Sequence, residues 1–106
     1  MRILVCGGRK FSDYNTIYKI LDQYIGVVEL LITGNATGAD EWAESWAKEN
    51  GVPVTVFCPD WKRQGKAAGP IRNQRMIDEG KPHLVIAFPG GRGTADMINR
   101  AKQAGI

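Results

Sequence analysis

Four short runs hold the residues whose types and spacing suit chemistry: Gly7-Gly8-Arg9, Gly34-Asn35-Ala36-Thr37-Gly38-Ala39-Asp40, Gly69-Pro70-Ile71-Arg72-Asn73 and Pro89-Gly90-Gly91-Arg92-Gly93-Thr94. The chemistry they share is anion binding. In the last run the glycines remove side chains that would block close approach, and backbone N–H groups at a helix start lack partners. The helix dipole favours negative charge at that same end. A phosphate fits such a seat, with Thr94 adding a hydroxyl donor and Arg92 a charge. The run is not a Walker A loop, because no lysine follows its final glycine, and its spacing is not G-x-G-x-x-G. A tight strand-to-helix turn without a ligand is the competing explanation.

Asp40 supports two roles. Thr37 and Asp40 have the spacing of a capping box, and an acid in a first helical turn is favoured by the dipole with no ligand at all. As a ligand contact it would repel phosphate and would instead take ribose hydroxyls or a base amine, with Asn73 nearby. Arg72 is placed to reach over the rim, and a guanidinium suits bidentate phosphate contact; an ordinary surface arginine is the alternative. Trp61 follows a strand directly, where it either stacks on a base or wedges its loop against the sheet. Trp42 and Trp46, four apart, read as core. Cys6 has no base partner and reads as a small buried residue rather than a nucleophile.

These runs need elements to position them. Arg2 to Cys6 is an apolar run; after the cap candidates Ser12 and Asp13, Ile17, Ile20, Leu21, Tyr24 and Ile25 recur at helical spacing. Glu29 to Thr33 is a second strand, followed by a stripe of Ala39, Trp42, Ala43, Trp46 and Ala47 that stops at Asn50-Gly51. Pro53 to Cys58 is the third strand. A basic loop from Pro59 to Gly69 follows, and Pro70 takes the first position of a helix whose buried edge is Ile71, Met76 and Ile77. His83 to Phe88 is the fourth strand, and Met97, Ile98 and Ala101 face inward from the last helix.

Short apolar strands alternating with helices imply a parallel sheet covered on both faces, a doubly wound three-layer α/β/α domain of about four strands. Ligands of such sheets lie beyond the carboxyl ends of the strands, the rim that bears all four glycine-bearing runs. His83 falls at the opposite end, which weakens it as a catalytic base.

The chain of 106 residues makes one domain, residues 1–106, and 43% hydrophobic with 24% charged residues is a globular composition. No apolar run is long enough for a membrane span and no signal-peptide pattern opens the chain, so a cytoplasmic protein without membrane association is expected. Cys6 and Cys58, each in an apolar run, read as reduced buried thiols. One histidine and no C-x-x-C leave too few soft ligands for zinc, and no cofactor is expected. Residues 1–61 carry five Lys/Arg against eight Asp/Glu, whereas residues 62–106 carry nine against three. The basic half either meets an anion or keeps the surface soluble.

Taken in this order, the strand-G-G-R start, G-x-x-x-G-A-D, A-A-G-P-I-R-N-Q-R-M and F-P-G-G-R-G-T-A-D-M together resemble the SLOG superfamily, closest to its YspA/YpsA-related members, the DUF2493 group. The resemblance spans essentially the whole chain. It implies a Rossmann-like fold and nucleotides or nucleotide-derived ligands, including ADP-ribose-type ones. The chain is also similar to the cytokinin-activating LOG phosphoribohydrolases, often called lysine decarboxylases, whose motif is P-G-G-x-G-T-x-x-E. Here Met97 stands where that motif has its glutamate, and cleavage of an N-glycosidic bond wants a carboxylate near an oxocarbenium-like centre. Asp96 is adjacent, but one helical step turns it about 100° away, toward the outer side. Related chains commonly continue into another short strand, so either the sheet has four strands, or a partner, including a second copy, or missing residues cover its edge.

Three functions compete. The first is a sensor or sequestering module for a nucleotide or nucleotide-derived phosphorylated ligand. Its phosphates would lie on Gly90 to Thr94, with charge from Arg92, Arg72 and Arg9 and ribose or base near Asp40 and Asn73. The second is a phosphoribohydrolase-type enzyme using Asp40 or Asp60 in place of the missing glutamate. The third is single-stranded nucleic-acid binding, suggested by the basic half and by the resemblance of DprA-type DNA-processing proteins to the same superfamily. It ranks last because aromatics are not interleaved with the basic loop.

Overall fold

The computed structural model describes residues 1–106. In chain order the elements are β1 (Arg2–Cys6), α1 (Tyr14–Asp22), β2 (Leu30–Thr33), α2 (Ala39–Glu49), β3 (Val54–Val56), α3 (Trp61–Gln64), α4 (Ala68–Asp78), β4 (Leu84–Ala87) and α5 (Arg92–Gln103), with a 3-10 turn at Gly65–Ala67 before α4. All strands run parallel in the order β3-β2-β1-β4. From β1 the chain winds outward through β2 and β3, then returns to the other side of β1 to lay down β4. The topological switch therefore lies between β1 and β4, where an open α/β sheet leaves its ligand crevice.

Alternation along β1 divides the core between the two faces of the sheet. Ile3 and Val5 pack with Ile17, Leu21, Ala43 and Trp46 under α1 and α2. Leu4 and Cys6 pack with Met76, Ile77, Met97 and Ala101 under α4 and α5. Trp46 also donates its indole N–H to Asp22 at 2.8 Å, tying α2 to α1. Asp13 caps α1, accepting from the Thr16 N–H at 3.2 Å. No helix is long and apolar enough to cross a membrane.

Several sequence expectations need correction. The stretch 59–69 is not a plain loop: Asp60 accepts from the Arg63 N–H at 3.2 Å and starts α3, which runs through the 3-10 turn into α4. Pro70 is consequently the third residue of α4, not the first, a position where a helix still has no partner for an N–H. Ile25 lies past the end of α1 and is 54% exposed. Trp42 is only partly buried, its ring 4.9 Å from that of Tyr14, while Trp46 is core. Cys58 is exposed, because the edge strand β3 stops at Val56 before reaching it; Cys6 is buried as expected. His83 sits at the amino end of β4, its Nδ1 accepting from the Arg2 N–H at 2.9 Å.

Candidate functional site

One cleft of about 1020 Å³ opens over the carboxyl rim of the sheet. The loop after β1 contributes Gly7, Gly8 and Arg9, the loop after β2 Gly34 and Asp40, α4 Arg72 and Asn73, and the loop after β4 Pro89, Gly90, Gly91, Arg92, Gly93 and Thr94. Two expected residues are not on it. Gly38 caps α2 at φ +74, where an added Cβ would collide with the carbonyls of Gly8 and Arg9. Ala39 is fully buried and donates its N–H to the Gly8 carbonyl at 3.2 Å. Both instead brace the first loop, through contacts with Gly8 and Arg9.

The loops after β1 and β4 are held together at the switch point. Gly8 donates its N–H to the Pro89 carbonyl at 2.9 Å, and a Cβ on Gly90 would stand 2.7 Å from the Gly8 nitrogen. Beyond this junction the N–H groups of Gly90, Gly91, Arg92, Gly93 and Thr94 have no protein partner; the first satisfied amide of α5 is Ala95, which donates to Gly91 at 3.1 Å. Gly91 and Gly93 differ from Gly90, since a Cβ on either meets nothing within 4 Å. At Gly93, inside α5, the fold does not require glycine, which works against the helix by up to about 1 kcal/mol.

Charge converges on the same space: Arg9, Lys10, Arg72 and Arg92 line the cleft, with Asp40 as the one acid. Arg72 donates from Nη1 to the Gly34 carbonyl and from Nε to Asn73 Oδ1 at 2.9 Å. Burial draws its pKa below the ordinary arginine value, opposed chiefly by Asp40. Asn73, buried, donates from Nδ2 to the Gly93 carbonyl at 3.2 Å and to Asp96 at 3.0 Å. Its carboxamide thus links the arginine to the glycine loop, with its Nδ2 committed to protein acceptors. Asp96 also accepts from Arg100 at 2.8 Å. Burial pushes Asp96 up, but the bonds from Arg100 and Asn73 hold it below the usual carboxylate value. It therefore faces α4 and is not turned to the outer side.

Asp40 is not the acid of a capping box with Thr37. The N-cap of α2 is Gly38, which has no side chain to cap with; its N–H donates to Glu41 at 3.1 Å, while the Thr37 hydroxyl donates to the Arg9 carbonyl. Asp40 Oδ2 accepts from the N–H groups of Gly34 at 3.0 Å and Ala36 at 3.3 Å, which fixes the loop after β2. Burial raises its pKa, outweighing those two donors and Arg72. The other candidate acid, Asp60, caps α3 and does not line the cleft. Cys6 lies on the cleft floor with its thiol pushed up to about 12 by burial and by Asp40, so it is no nucleophile near neutral pH. No group of three or more His, Cys, Asp or Glu is arranged to hold a metal ion. Lys10 and Phe11 also line the cleft. Their membership follows from loop paths that no local pattern signals.

Comparison with known proteins agrees with this architecture. A model of the YspA, cpYpsA-related SLOG family matches residues 1–64, the span from β1 through α3. The Gene 61 protein of Mycobacterium phage D29 is 35% identical over 117 aligned residues, covering 99% of this chain and 91% of the relative. No solved structure is a significant match.

Two outcomes are expected from the geometry. Gly90→Ala should cost about 1–3 kcal/mol of stability in denaturant unfolding, because the added methyl meets the backbone of Gly7 and Gly8, whereas Gly93→Ala, inside the helix, should be neutral or slightly stabilising. Asp40→Asn keeps an acceptor for the two N–H groups but removes the buried charge. Because folding raises the Asp40 pKa, its contribution is fully present below the unfolded value and is lost as pH rises through the folded value. Unfolding midpoints measured from acid to neutral pH should therefore coincide at the acid end and separate upward in favour of the variant.

Proposed function

The chain belongs to the YspA, cpYpsA-related SLOG family, and from that membership we propose that it binds a nucleotide or nucleotide-derived phosphorylated ligand at the carboxyl rim of its sheet, as a sensor or sequestering module. The observation that carries this reading is the run of unpartnered N–H groups from Gly90 to Thr94 at the head of α5, opening into a cleft lined by three arginines and a lysine. Amides at a helix start, a favourable dipole and convergent guanidinium groups together suit phosphate. Gly91 and Gly93 give the oxygens room to reach the backbone, and Thr94, whose hydroxyl makes no hydrogen bond to protein, adds a donor. Nucleoside monophosphates, ADP-ribose and signalling nucleotides share this chemistry.

Hydrolysis of a glycosidic bond receives less support. Met97 is 1% exposed in the core beneath the cleft, Asp96 is engaged by Asn73 and Arg100, and Asp60 caps α3. Asp40 is the sole acid left, and two backbone amides already hold it in place.

A thermal-shift screen with nucleoside mono- and diphosphates, ADP-ribose and cyclic dinucleotides tests the proposal. A true ligand at a hundred times its Kd adds about 2.7 kcal/mol of apparent stability. Gly93→Ala should separate fold from function: the unliganded variant unfolds at the same or higher temperature, yet the ligand-induced shift shrinks. Absence of a shift with every phosphate compound contradicts the reading.

A further inference from the structure

Trp61 is 48% exposed and lines the cleft, on the wall formed by the connection between β3 and α4. An aromatic used as a wedge is buried, as Trp46 is at 1%. Trp61 instead presents its ring to the cleft: one end lies against the start of α4, where its Cη2 is 3.5 Å from the place a Cβ on Gly69 would occupy. Over the ring stands the Arg9 guanidinium, 5.9 Å from the centroid. The indole N–H has no protein partner, whereas that of Trp46 is bonded to Asp22. The four-residue helix that carries Trp61 is fixed at its start by Asp60. The ring is thus held in place by local structure, half exposed, with the Arg9 guanidinium over it.

We propose that Trp61 is the base-stacking platform of the cleft, so that the ligand is a nucleotide whose aromatic base, a purine above a pyrimidine, covers the indole while its phosphates occupy the head of α5. This rests on the phosphate reading above and adds the chemical class of the ligand's other end. The 5.9 Å between guanidinium and ring is too short for a base to lie between them, since stacked rings alone need centroids about 4.5 Å or more apart. The base therefore takes the place of Arg9, and Arg9 moves to the phosphates. The exchange is favourable because stacking a base on an aromatic ring is worth more than an exposed cation–π contact. The larger face of a purine covers more of the indole, which sets the preference.

Titration calorimetry with ADP and with inorganic pyrophosphate tests this. The native chain should bind ADP more tightly than pyrophosphate. Trp61→Ala should weaken ADP by about 5- to 150-fold, the usual range for a lost stacking partner, and leave pyrophosphate unchanged. Trp61→Phe, which keeps a ring, should retain most of the ADP affinity and serves if the alanine variant folds poorly. Equal affinity of the native chain for the two compounds, or an equal loss of both in Trp61→Ala, overturns the stacking role while leaving the phosphate seat standing. Failure of the native chain to bind either compound overturns both.

Discussion

The Gly8 N–H donates to the Pro89 carbonyl at 2.9 Å, and this bond joins the loops that leave β1 and β4 at the point where the winding of the sheet reverses. Everything at the rim depends on how closely those loops approach. Gly90 allows the approach, since any side chain there would strike the backbone of the first loop. With Gly90 in place, the head of α5 is set beside the crevice and its first amides point to no protein acceptor. A sheet that buries both faces supplies the rigidity: Ile3, Leu4 and Val5 are fully buried between the helix layers, so the loop they precede starts from a fixed place.

A second layer of polar contacts keeps the cationic side of the cleft in order. Arg100, Asp96, Asn73, Arg72 and the Gly34 carbonyl form one continuous hydrogen-bonded chain from the outside of α5 to the loop after β2. Asn73 is its centre, and through Gly93 it also fixes the amide seat relative to Arg72. On the proposed phosphate reading, charges held this way need no further ordering when an anion arrives, which lowers the cost of binding. Asp40 prevents the cleft from being uniformly positive, and its carboxylate is constrained by backbone amides rather than free to move.

Most of the architecture was legible because it follows from periodicity. Short strands of nearly continuous apolar character, helical stripes such as Ala39, Ala43 and Ala47, and glycines after β1, β2 and β4 together specify a parallel sheet with its loops on one rim. What the sequence hid were choices between neighbouring registers and between helix faces. Thr37 and Asp40 have the spacing of a capping box, but the N-cap falls one residue later, at Gly38, whose N–H is taken by Glu41, and the Thr37 hydroxyl is drawn to the Arg9 carbonyl of a distant loop. Asp96 seemed turned outward only while α5 was considered alone; α4 packs beside it and brings Asn73 within 3.0 Å. Short α3 was invisible to periodicity because four residues are too few to show it, and Cys58 is exposed because β3 ends early at an edge.

Amide chemical shifts report most directly on whether the head of α5 receives an anion. With ¹⁵N-labelled protein and increasing ADP, the resonances of Gly91, Arg92, Gly93 and Thr94 are expected to move together and to saturate with a common affinity, while the amino-end residues around His83 stay still. Saturable shifts confined to other surfaces, with these four resonances unmoved, would contradict the account.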